Sequence, residues 1–86
     1  MSSTITGNVG GSSFSGALIQ MQNVNTNGIK YTVADGSGNY SITATLAGAH
    51  IIRASGISGY SYPTSIQVIT DNTSSYSGIN LNPVAL

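Results

Sequence analysis

The residues able to do acid-base chemistry in this chain are few: one histidine, His50, two aspartates, Asp35 and Asp71, two cations, Lys30 and Arg53, and neither Cys nor Glu. A Ser-His-Asp triad can be written from His50, either aspartate and any of many serines, but no nucleophile-elbow motif singles out a serine. His50 also falls on the inward side of a period-two stretch, where a core histidine with its ring nitrogens bonded to backbone is the simpler reading. No catalytic residue is assigned, and the chain is read as a non-enzyme.

Binding chemistry is equally sparse. Asp35, Ser37 and Asn39 have the 1, 3, 5 spacing that opens a calcium loop, but position six is Tyr40 and no Glu exists to close it, so the stretch reads as a turn and no metal is expected. Lys30 is the sole lysine, with no obvious Asn in phase opposite it and no Glu in the chain, so a Lys to Asn isopeptide bond is not expected. Tyr60, Tyr62 and Tyr76 are the candidate binding residues, since three tyrosines on one rim would stack on sugar rings. Against that stands Tyr60 packing over the end of a domain and Tyr76 covering a strand edge. Asn39-Tyr40-Ser41 and Asn72-Thr73-Ser74 fit the N-glycosylation pattern, a short one that arises often by chance. No cofactor is implied.

Positioning these residues falls to a single domain, 1–86, with a core over about 3–81 and short arms at 1–4 and 82–86. Charged residues are 5% of the 86, against roughly 25% in an ordinary soluble domain. Net charge is zero, which removes the basic footprint that nucleic acid requires. It also removes the repulsion that keeps proteins dispersed, so a Ser, Thr, Asn and Gly surface points to a chain packed in an assembly. No apolar run approaches the ~20 residues of a membrane helix, and no membrane partner is expected. Neither a basic n-region nor an apolar h-region follows Met1, so the chain is read as used without Sec export or as a mature fragment.

Periodicity is close to two nearly throughout, and predicts strands without helices. Ile5, Gly7 and Val9 share one face of the first strand, Ala17, Ile19 and Met21 of the second. Asn27-Gly28 is the strongest hairpin signal and leads into a third strand over 29–34. The turn Asp35-Gly36-Ser37-Gly38-Asn39, with both glycines expected at positive φ, feeds a fourth strand with Tyr40, Ile42 and Ala44 inward. His50, Ile52 and Ala54 face inward on a fifth. A loop over 56–63, a sixth strand with Ile66, Val68 and Thr70, and a seventh with Ile79 and Leu81 complete an all-β sandwich.

Ile5-Thr6-Gly7-Asn8-Val9, then Ser15-Gly16-Ala17, then Asp35 to Ile42, then Leu46-Ala47-Gly48 and Gly59-Tyr60, follow one another in an order that resembles the carboxypeptidase regulatory-like domains. The resemblance runs from about Ser3 to Leu81 and implies a seven-stranded Greek-key sandwich of the immunoglobulin-like or transthyretin-like kind. His50 replaces the aromatic expected there, Leu46 and Ala47 replace prolines, and residues 56–58 add length. Domains of this family accompany enzymes, adhesins, transporters and viral structural proteins without being catalysts.

A protein partner is therefore expected: a larger structural assembly, self-association, or both. The leading expectation is an accessory protein such as a bacteriophage capsid decoration or cement protein, on the virion surface if phage-encoded and otherwise extracellular or at a cell surface. It would adhere through loops, edge strands and the segments 1–4 and 82–86. The alternatives are an extracellular adhesion or carbohydrate-binding module with a glycan ligand, and a subunit of an extracellular filament.

Overall fold

The computed structural model describes residues 2–61 and 65–86. Its strands are β1 (Ser3–Asn8), β2 (Leu18–Asn23), β3 (Ile29–Val33), β4 (Asn39–Ala44), β5 (Gly48–Ser55), β6 (Tyr60–Ser61), β7 (Ile66–Thr70) and β8 (Val84–Ala85), with one 3₁₀ turn at Ser12–Phe14. Strict alternation drives the strands: in β4, Tyr40, Ile42 and Ala44 are buried while Asn39, Ser41 and Thr43 are exposed. In β5 the buried set is His50, Ile52 and Ala54.

Two sheets enclose the core. β1 and β4 pair antiparallel, with Ile5 opposite Ile42 and Gly7 opposite Tyr40. The other sheet has the order β3-β2-β5-β7, all antiparallel. Ile5 and Ile42 from the first meet Ile19 and Ile52 from the second in one hydrophobic cluster, closed by Phe14 and Leu81. Each fully buried Ile or Leu contributes about 1.5–3 kcal/mol of transfer free energy. The result is the all-β sandwich expected from the alternation. No helix among the described residues is long and apolar enough to cross a membrane.

Eight strands form among the described residues, against the seven expected: two are gained and one, around Ile79 and Leu81, is lost. The extra pair is β6 with β8, Tyr60 opposite Ala85 and Ser61 opposite Val84. The final residues, expected as an arm, are thus tied to the loop after β5, and Leu86 N–H adds a bond to the Gly59 carbonyl. At the other end Ser3 and Thr4 belong to β1, and Ser3 is buried.

The expected seventh strand around Ile79 and Leu81 is an irregular ribbon. Residues 76–82 run parallel along the free edge of β1, starting from a bridge between Ile5 and Tyr76. Ile79 N–H and Leu81 N–H donate to the Thr6 and Asn8 carbonyls. Gly78 sits at φ +70 and breaks the ladder, so Asn8 N–H is taken up by Asn80 Oδ1 at 3.0 Å.

Two turns differ in detail from expectation. The β2–β3 hairpin exists, but its reversal spans five residues, with Asn27 at φ 60 and Asn23 N–H bonded to the Gly28 carbonyl. Asn23 Oδ1 accepts from Asn25 and Thr26 N–H, so side-chain capping replaces the two-residue Asn-Gly turn. In the Asp35–Asn39 turn only Gly38 has positive φ, +82. Asp35 Oδ1 supplies the rest by accepting from the N–H groups of Ser37 and Asn39. Asn8 then ties that turn to β1 through the Ser37 carbonyl and Asn39 Oδ1.

Candidate functional site

His50 is buried, and both ring nitrogens are engaged. Asn23 Oδ1 faces two backbone donors, so its Nδ2 is the group turned to His50 Nε2, 3.2 Å away. Nε2 therefore carries the lone pair, and Nδ1–H donates to the Gly48 carbonyl at 2.9 Å. The ring is a neutral strut between the β2–β3 loop and the start of β5. One of its partners is backbone, as expected, and the other is a side-chain amide.

The aspartates serve their own turns. Asp71 accepts from Ser74 Oγ at 2.6 Å and from the N–H groups of Ser74 and Thr73. These bonds, the Ser74 hydroxyl foremost, hold its carboxyl well below the usual carboxylate range. Asp35 faces the N–H groups of its turn in the 1, 3, 5 stretch. Among the described residues no three His, Asp, Glu or Cys side chains gather into a metal-binding group. Lys30 Nζ reaches the Thr43 carbonyl at 3.1 Å, bridging the edge from β3 to β4.

Among the described candidates, Tyr60 and Tyr76 are held by different partners. Tyr60 packs edge-on against Phe14, ring centroids 4.5 Å apart, at the Val9 end of β1. Tyr76 lies beside Ile5, midway along β1, its hydroxyl accepting from Asp71 N–H at 3.1 Å. Tyr62 lies outside the described residues. Tyr40 is the tyrosine with the most specific bond: its hydroxyl donates to the Ile79 carbonyl at 2.6 Å, and burial pushes its pKa up to about 12.

The outer face of the β3-β2-β5-β7 sheet carries the surface feature that sequence reasoning missed. Cross-strand register places Val33 beside Leu18, Tyr31 beside Gln20 beside Arg53, and Ile29 beside Gln22 beside Ile51. Ala49 and Ile69 form the next row toward β7. Exposure reaches 58% for Tyr31, 57% for Val33 and 69% for Ile69. The described residues include nine exposed large apolar side chains, and Leu18, Ile29, Tyr31, Val33 and Ile69 project from this one face. Its sequence signal was present as adjacent apolar pairs, Ile51-Ile52 and Val68-Ile69, which put one member on each side of the sheet.

A second feature is a cleft of about 670 Å³, lined by Thr6, Asn8, Thr32, Asp35, Asn39, Ser41 and Asn80 together with Val33 and Tyr40. A smaller hollow of about 230 Å³ lies beside His50, Met21 and Leu46.

Fold and surface together define a small all-β sandwich with one apolar outer face and almost no charge. No family model, no curated protein and no solved structure matches the chain.

Proposed function

We propose that this chain is a non-enzymatic structural accessory protein that attaches to a larger protein assembly through the outer face of its four-stranded sheet. A virion surface is the concrete case, with the chain as a bacteriophage capsid decoration or cement protein of carboxypeptidase regulatory-like type. From any other source it acts outside the cell or at the cell surface. The observation that carries the reading is the gathering of exposed Leu18, Ile29, Tyr31, Val33 and Ile69 on one face of a molecule with zero net charge. Immunogold labelling of particles purified from the source tests it. Regular decoration is expected, with loss of decoration for a folded Ile69→Asp variant. Absence of the chain from every particle fraction overturns it.

A second reading is favoured by the cleft, whose lining sets hydroxyl and amide side chains beside Asp35 and apolar Val33, a mixture that suits a polyhydroxylated ligand. On that reading the chain is a glycan-binding adhesion module that uses the cleft in place of the tyrosines. Glycan-array binding lost in Ser41→Ala, with the outer face unchanged, supports this second reading over the first.

A further inference from the structure

We infer that the outer face of the four-stranded sheet is the interface of a two-fold homodimer whose axis runs parallel to β2, laying Tyr31 of each copy over Arg53 of the other. This rests on the reading of that face as a contact surface: the second copy covers it over β3, β2 and β5, and Ile69 on the edge strand β7 is left for the larger assembly.

Charge and register select that occupant. Arg53 is the one charged residue on the face, and the chain is neutral as a whole, so no field repels a copy or recruits a charged partner. In the central row Gln20 is flanked on one side by Tyr31 and on the other by Arg53, at the same one-strand spacing of about 4.8 Å. Rotation by 180° about an axis along β2 leaves β2 facing β2 and exchanges β3 with β5. Each guanidinium then meets an aromatic face, a cation–π arrangement, and the two Arg53 groups stand about 10 Å apart across the axis, close to a Debye length. The same operation sets Ile29 against Ile51 and Leu18 against Leu18. A two-fold across the strands at this row would instead stack Arg53 on Arg53. The contact is isologous and closed, so it ends at two copies.

Area is sufficient but small. Three overlapping strands about 20 Å long and spaced about 4.8 Å present about 300 Å² in projection, or about 500 Å² of accessible surface per copy once side-chain relief is included. Two copies bury about 1,000 Å², the lower bound of specific interfaces.

Sedimentation equilibrium on the whole chain from about 1 to about 500 µM tests this. The mass is expected to rise from 8.7 kDa to twice that value, and Leu18→Asp, which meets itself at the axis, is expected to hold the chain at the lower mass with an unchanged circular dichroism spectrum. The chain has no cysteine, so Gln20→Cys gives a single thiol, and a short bis-maleimide should join two copies through it while Gln67→Cys, on β7 beyond the overlap, gives little product. A mass that stays at one chain up to about 500 µM overturns the dimer, as does a dimer indifferent to Leu18→Asp with no Gln20→Cys cross-link. A monomer that still decorates particles through Ile69 would overturn the dimer alone and leave the attachment reading standing. A dimer found on no particle would do the reverse.

Discussion

Gly7→Ala is the sharpest test of how the two ends of the chain are joined. Gly7 faces inward on β1 opposite Tyr40, and a Cβ there would lie 2.5 Å from the carbonyl carbon of Ile79, closer still to its oxygen, and 2.9 Å from Tyr40 Cε2. Ordinary carbon contacts begin near 3.5 Å. The obstruction is backbone, so residues 76–82 must retreat from β1 by about 1 Å. That motion stretches the Ile79 N–H bond to the Thr6 carbonyl, 3.1 Å, and the Tyr40 hydroxyl bond to the Ile79 carbonyl, 2.6 Å. Two such bonds are worth about 1 kcal/mol each, and overpacking costs a further 1–3 kcal/mol or so. A loss of about 3–5 kcal/mol is expected, a large share of the stability of so small a domain. Urea unfolding followed by circular dichroism measures it. Gly36→Ala is the control: nothing lies within 4 Å of its added methyl and its φ is not positive, so it should be neutral or stabilising by about 0.4–1 kcal/mol. A Gly7→Ala variant within about 1 kcal/mol of the parent would refute the tight seating of residues 76–82 on β1.

Tyr40→Phe removes the hydroxyl and strands the Ile79 carbonyl, and should cost about 1–2 kcal/mol at neutral pH by the same unfolding assay. Because the folded-state pKa of Tyr40 is raised from 10.0 to about 12, its contribution is fully present below pH 10 and fades as pH rises toward 12. The parent should therefore lose stability across that window more steeply than the variant, read as the difference between their melting temperatures at each pH. Asp71 works in the opposite sense. Its folded-state pKa lies below the ordinary 3.8, so its contribution is present above that value and is lost as pH falls beneath it, and Asp71→Asn should flatten the acid limb of the stability profile. Association through the outer face should weaken less than twofold between about 50 and 500 mM NaCl, since apolar contact is not screened. A tenfold salt effect in sedimentation would assign the attachment to charge.

The inward faces were legible because a half-buried strand must alternate, and Ile19, Ile42 and Ile52 could only point one way once the period was read. Turn chemistry was legible in part. Gly38 needs positive φ and sits against the Gly11 backbone, whereas Gly36 does not, because Asp35 closes the turn with its own carboxylate. What stayed hidden has a physical cause in each case. Residues 76–82 carry Gly78, run into Pro83 and form a ladder interrupted at Asn80, and their partner, β1, lies some seventy residues away with no local pattern to announce it. Tyr60 and Tyr76 could be grouped on one rim from the sequence, but the topology seats Tyr60 against Phe14 and Tyr76 along the edge of β1 beside Ile5. The outer face was obscured because alternation says which residues share a side and not which side is wet: Ile29, Tyr31 and Val33 share one side of β3, and the structure turns that apolar side outward.

That inversion explains why so little charge suffices. Both aspartates are engaged by their own turns and Lys30 reaches across an edge to a carbonyl. An isolated monomer ordinarily keeps a face like that of β3 and β2 soluble by studding it with Lys and Glu, and here the intervening positions are Gln20, Gln22 and Gln67, with Arg53 alone charged. Glutamine satisfies hydrogen bonds in water and across a dry interface alike, at a far smaller desolvation cost than a charge. A surface built from apolar side chains and amides is therefore compatible with being covered, and the scarcity of charge, most evident in the sequence, finds its structural counterpart in that one sheet face.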